Sequence, residues 1–245
     1  MNLRRSLLLA AAFASILLPL GARAQDALRV VTDATFPPME FSKDGKRTGF
    51  DIELVEALAA QMGRKVEWID IDFKGLIPAL VSHRADMAMS AIYITDERRR
   101  VVDFSDPYFA GGLVVLTTRS GPIKSLKDLD GKKVTVQVGT KSVGFLKEHY
   151  PKVERVEVEK NQEMFNLVEI GRADAAVTGK PAAKVYAQAK PALVVLPEQL
   201  TTEEYGIAIR KDAPEIRDAV NAALKKIKAN GVYDKLVQKW FESAK

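Results

Sequence analysis

A strand-helix-strand-helix-strand run occurs twice in this chain, and each run closes on nearly the same seven residues. The first copy reads Arg84-Ala85-Asp86-Met87-Ala88-Met89-Ser90; the second, 88 positions later, reads Arg172-Ala173-Asp174-Ala175-Ala176-Val177-Thr178. Each copy is a helix end, a tight turn and a short apolar run that stops at a hydroxyl residue, the pattern of a buried strand. Strands alternating with helices imply an α/β fold, a mostly parallel sheet covered by helices. A duplicated alternation implies two similar lobes, and two lobes make one cleft.

In the first run, strands are expected over 28–32, 65–69 and 87–89, with helices opening at Asp51 and near Phe73. Phe36-Pro37-Pro38 makes a stiff loop behind the first strand, and 41–50, with Gly45 and Gly49, reads as a hairpin. Thr95 caps a further helix whose first turn holds Asp96 and Glu97. The second run places strands over 133–138, 153–158 and 174–177, with helices over 142–149 and 161–171. A strand over 205–209, a long amphipathic helix over 213–230 closed by Gly231, and a last helix over 232–241 return to the first lobe. Candidate crossings are 109–113, with Gly111 and Gly112, and 204–207; two crossing strands make a hinge. The division expected is residues 26–110 with 206–245 in lobe one and 111–205 in lobe two.

The N-terminus has a basic start (Arg4, Arg5), an apolar run from Leu7 to Leu20 and Ala22-Arg23-Ala24, the layout of a secretory signal peptide over residues 1–24 cleaved after Ala24. Cleavage removes three Arg and no acid, so the formal charge falls from +5 to +2, which gives no reason to expect a nucleic-acid partner. The chain has no cysteine, so an exported form has no disulfides and rests on an ordinary core. The bacterial periplasm fits that combination. With only His83 and His149 and no cysteine, neither a metal site nor a cofactor is expected.

In open α/β sheets ligands bind beyond the carboxyl ends of strands. Ser90 and Ala91 stand at such an end, and Arg98 lies one turn into the helix that Thr95 caps. Free backbone N–H groups and a guanidinium facing one crevice suit a carboxylate.

Thr32-Asp33 with Phe36-Pro37-Pro38-Met39-Glu40-Phe41, Gly49-Phe50-Asp51-Ile52-Glu53, Phe73-Lys74-Gly75-Leu76-Ile77-Pro78-Ala79-Leu80, Ile94-Thr95-Asp96-Glu97-Arg98 and Phe104-Ser105-Asp106-Pro107-Tyr108 occur in order. Together they resemble the polar amino-acid-binding proteins of bacterial ABC importers, over 28–241. The resemblance implies the two-lobed, hinged periplasmic-binding-protein fold (type II), with the ligand cleft between the lobes. It also implies a ligand site, carried over residue by residue. Arg98 resembles the residue that grips the ligand carboxylate, Phe36 and Phe73 the aromatics that sandwich its side chain, and Asp33 the acid that reads a polar or cationic end. Ser90 and Ala91 resemble the strand end that offers backbone groups. Gln137, Thr140, Lys141 and Ser142 occupy the second-lobe loop that opens a helix toward the same carboxylate.

Two positions depart from the family pattern. Where an Asp for the ligand's α-ammonium is usual, this chain has Gly179, after Thr178, and where a small hydroxyl residue is usual it has Tyr93. A buried ammonium without a carboxylate partner is poorly compensated, while Lys141 and Lys180 add positive charge nearby. Either the solute is a carboxylate without a free α-amine, or its amine is held elsewhere, by Asp33, a neighbouring acid or Tyr93. The function implied is capture of an amino acid or related small carboxylate by hinge closure and delivery to a membrane permease, by a monomer. The rival on the same fold is a dehydratase-like enzyme, which needs a positioned acid or base; the stretch 178–183 supplies no carboxylate.

Overall fold

The computed structural model describes residues 27–242, so the leader assigned to residues 1–24 lies outside it. In chain order the strands and helices are β1 (Leu28–Thr32), β2 (Thr35–Phe36), β3 (Glu40–Lys43), β4 (Lys46–Thr48), α1 (Phe50–Gln61), β5 (Val66–Asp70), α2 (Leu76–Val81), β6 (Met87–Ala88), α3 (Asp96–Arg99), β7 (Val102–Phe104) and β8 (Phe109–Ala110). There follow β9 (Leu113–Thr118), β10 (Lys133–Gln137), α4 (Lys141–His149), β11 (Glu154–Val158), α5 (Asn161–Glu169), β12 (Ala175–Gly179), α6 (Lys180–Ala189), β13 (Leu193–Gln199), β14 (Glu204–Tyr205), β15 (Ala208–Arg210), α7 (Pro214–Ala229) and α8 (Val232–Val237).

Two five-stranded sheets carry the two lobes, ordered β5-β1-β6-β15-β7 and β11-β10-β12-β9-β13. In each, three neighbouring strands are parallel (β5-β1-β6 and β11-β10-β12), as the duplicated alternation predicts. The remaining strands run antiparallel. Helices cover the sheets because their apolar residues recur at helical spacing: Phe50, Leu54, Val55, Leu58 and Ala59 bury one side of α1, and Asp51 and Glu53 favour its positive end. Thr95 caps α3 as expected, its Oγ1 accepting from the Arg98 N–H at 3.2 Å.

The repeated heptapeptides do the same work in both lobes. Asp86 N–H donates to Arg29 O at 2.8 Å, and Asp86 Oδ2 accepts from Arg29 N–H at 3.0 Å. Asp174 makes the same reciprocal pair with Lys133, at 2.8 Å each way. The turn before each Asp is also shared: Ala79 O accepts from the N–H groups of Arg84 and Ala85, and Leu167 O from those of Arg172 and Ala173.

The segments joining the sheets lie together, β8 pairing antiparallel with β14 through Phe109 opposite Tyr205 and Ala110 opposite Glu204. The strand expected over 205–209 is divided at Gly206. A β-carbon there would stand 2.8 Å from Ile94 side-chain atoms and 3.0 Å from Phe104, so the chain leaves the hinge and enters the first sheet where no side chain fits. The sequence reading also lacked β9 and β13, which complete the second sheet.

Candidate functional site

Four parallel strands deliver the site from their carboxyl ends. Asp33 follows β1, Ser90 lies two residues past β6, Gln137 ends β10, and Thr178 and Gly179 end β12. Across these ends lies a cavity of about 460 Å³, open solvent at its mouth included. All the residues expected at the site line it: Asp33, Phe36, Phe73, Ser90, Ala91, Tyr93 and Arg98 from the first lobe and hinge side, and Gln137, Thr140, Lys141, Ser142, Thr178 and Gly179 from the second. Glu40, Leu113, Asn161, Val177 and Tyr205 line it as well and were not foreseen. Glu40 sat within a quoted motif, Tyr205 within an expected crossing and Asn161 at an expected helix start, so each carried a signal of position but none of role.

Arg98 spans the cleft. Its Nη1 donates to Tyr93 O at 2.8 Å and its Nη2 to Gly139 O at 3.2 Å in the other lobe, while the guanidinium carbon stands 5.6 Å from the Phe73 ring centroid. Burial pulls its pKa down to about 10, so it remains a cation at neutral pH. A guanidinium has five N–H donors, and only two are directed at these carbonyls. Opposite it α4 begins at Lys141, with Thr140 as N-cap, and first-turn N–H groups of a helix have no partner within the helix. A guanidinium and a helix start on facing walls form a receptor for a carboxylate.

Several donors counted from the sequence are already engaged. Ala91 N–H donates to Asp51 Oδ2 at 2.8 Å, so Ala91 lines the cavity but does not offer that group to a ligand. Ser90 Oγ donates to Glu40 Oε1 at 2.7 Å and accepts from Asp33 N–H at 3.2 Å. Lys141 is ion-paired with Glu203, and Lys180 Nζ donates to Gln199 Oε1 at 3.1 Å, away from the cavity lining. The extra positive charge expected from these two lysines is therefore neutralised or turned aside.

Behind Ser90 lies a buried carboxyl pair. Burial, and then the charge of Asp51, push Glu40 well above the usual carboxyl range. Burial lifts Asp51 from 3.8 to about 6, although Ala91 N–H and the Tyr108 hydroxyl, which donates at 2.9 Å, oppose the shift. A hydrogen bond between the two carboxyls, donated by Glu40 to Asp51, raises Glu40 further and works against the rise at Asp51.

Gly179 stands where a side chain has no room. A β-carbon would lie 2.7 Å from the Tyr205 hydroxyl, 2.9 Å from Phe36 Cζ and 3.4 Å from the Tyr93 hydroxyl. The two tyrosines form a unit: their ring centroids are 4.7 Å apart, Tyr205 Oη donates to Tyr93 Oη at 3.2 Å, and Tyr93 Oη accepts from Gly112 N–H at 3.0 Å. Burial raises the Tyr93 phenol to about 12, so it is neutral. Among the described residues no group of three or more His, Cys, Asp or Glu side chains is placed to hold a metal ion.

The bacterial extracellular solute-binding proteins, family 3, match residues 28–243 of this sequence. The chain belongs to this family. Over 220 residues it is 36% identical to the arginine-binding extracellular protein ArtP of Bacillus subtilis (strain 168), covering 87% of this chain and 86% of that one. An ancestral arginine-binding protein solved with arginine bound has a TM-score of 0.85 at 41% identity, covering 89% of this chain and 99% of that one. The ancestral amino-acid-binding protein AncCDT-1, described as a precursor of cyclohexadienyl dehydratase, has a TM-score of 0.82 at 46% identity, covering 88% and 95%. This family 3 protein is thus an amino-acid-binding component of an ABC transporter, with a membrane permease as its partner, in a family of extracellular solute-binding proteins.

Proposed function

We propose that the cleft holds a free amino acid by its carboxylate, between Arg98 and the first turn of α4, and that the lobes close on it about β8 and β14. The side chain lies toward Phe36 and Phe73. Residues 26–110 with 206–245 move as one body and 111–205 as the other, after export directed by residues 1–24. The observation that carries this reading is that Arg98 and the α4 start, one from each lobe, line the same cavity. A solute touching both walls favours the closed form, because only there are both sets of contacts made. The carboxyl groups lining the cavity support capture without chemistry: Asp33 accepts four hydrogen bonds, and Glu40 is tied to Ser90 and Asp51.

A second reading, that the solute has no free α-amine, is favoured by the crowding at Gly179, where the Tyr205 hydroxyl and the Phe36 ring leave no space for a carboxylate side chain. Thermal-shift panels of the common amino acids and of the matching acids without the α-amine separate the two. A solute that binds only the folded protein raises the melting temperature, by an amount equal to about 2.7 kcal/mol of stability at a hundredfold excess over its dissociation constant. The first reading requires a shift with at least one amino acid. Shifts with the des-amino acids alone replace it with the second, and silence in both panels rejects both.

A further inference from the structure

We propose that Lys160 is a built-in counter-cation for Asp33, and that it makes the side-chain end of the cleft select an uncharged amino acid and reject a cationic one. This rests on the amino-acid reading of the cleft given above.

Asp33 is 2% exposed and lines the cavity, an acid with which a cationic side chain would seek to pair. Its carboxylate is fully occupied. Oδ1 accepts from Thr35 Oγ1 at 3.1 Å and from Lys160 Nζ at 3.1 Å; Oδ2 accepts from Gln137 Nε2 at 2.8 Å and from Phe73 N–H at 3.2 Å. A carboxylate offers about four lone-pair positions, so these four donors leave none for a guest cation. One of the donors already brings a full positive charge. An arriving guanidinium or ammonium meets a carboxylate that already holds a cation, and must displace one of these donors before it gains a hydrogen bond from Asp33.

Lys160 is held from both sides of the cleft. It immediately precedes α5 in the second lobe, and its Nζ also pairs with Asp72 of the first lobe at 2.7 Å. Burial works against the charge, but the hydrogen bond to Asp72 and the charge of Asp33 outweigh it and raise the ammonium above its usual range; the same hydrogen bond holds Asp72 below its own. On the Gln137 side the neighbours are amides: Asn161 Nδ2 donates to Gln137 Oε1 at 3.0 Å, and Gln137 Nε2 also reaches Glu159 O at 2.9 Å. These amides give donors and acceptors in balance, which fits a neutral amide side chain.

The test is calorimetric titration of the dialysed mature protein with glutamine and with arginine, for wild type, Lys160→Met and Lys160→Arg. Wild type is expected to bind glutamine more tightly than arginine by about tenfold or more, Lys160→Met to gain about tenfold or more for arginine with little change for glutamine, and Lys160→Arg to keep the wild-type order. The Lys160 side chain is 43% exposed, so Lys160→Met is not expected to unfold the protein; Lys160→Ala is the second variant should it do so. Arginine binding as tightly to wild type as to Lys160→Met overturns this inference and leaves the amino-acid reading standing. Failure of both probes, and of the other common amino acids, to bind any form overturns the amino-acid reading and this inference with it.

Discussion

A single β-carbon at position 179 would collide with two aromatic residues, and this ties Gly179 to Tyr205 and Phe36. Gly179→Ala is expected to destabilise the closed protein by about 1–3 kcal/mol through overpacking. Tyr205→Phe removes the nearest obstacle, the hydroxyl 2.7 Å away, so the double variant should lose less stability than the two single losses combined. Urea denaturation of the four forms measures the coupling, and strict additivity would contradict it. The Glu40–Asp51 pair makes a second prediction at this scale. Its folded-state pKa values are raised, so the folded protein binds its protons more tightly than the unfolded chain. Stability from this pair is therefore complete below the ordinary carboxyl range and is lost as pH rises from 3.8 through about 6, where Asp51 titrates. Glu40→Gln, whose amide donates to Asp51 as the protonated acid does, should flatten the fall in melting temperature between about pH 4 and about pH 7. An unchanged pH profile would mean that the two groups do not share a proton.

At the scale of elements, the duplicated Asp acts as a clamp between the first and third strands of each run. Asp174→Ala frees the Lys133 N–H that Asp174 holds at 2.8 Å, and should cost about 1–3 kcal/mol in chemical denaturation. A loss within error would show that the shared pattern is not a structural device. The clamp was legible because its residues are neighbours in sequence and recur at a fixed interval. Other features were not, because their causes are remote in the chain. The N–H of Ala91 looked free, yet Asp51, forty positions away, takes it. The crossing expected over 109–113 takes in only the first residue of Leu113–Thr118, an apolar run with no assignment of its own; it is β9, flanked by β12 and β13. A strand buried in mid-sheet has no alternation to announce it. The chemical type of each site residue was readable, but not which donors were already spent, since that depends on pairs such as Lys141 with Glu203 and Lys160 with Asp33.

For the whole molecule, polar groups join the two lobes around the cleft. Arg98 reaches Gly139 O, Lys74 pairs with Glu159 at 2.5 Å, and Lys160 joins Asp33 and Asp72. Gly139, at φ 77°, permits this approach, since a β-carbon there would lie 2.8 Å from the Lys74 backbone. Exposed ion pairs contribute little each, so closure of this kind is reversible and a solute can decide it. The central claim is that a carboxylate bridging Arg98 and α4 makes that decision. The most direct measurement is calorimetric titration of wild type and Arg98→Ala with the amino acid that gives the largest melting shift and with its α-carboxamide. Wild type is predicted to lose about a hundredfold in affinity, about 2.7 kcal/mol, when the carboxylate becomes an amide, and Arg98→Ala to bind both forms weakly and nearly alike. Equal binding of acid and carboxamide by wild type would contradict the account.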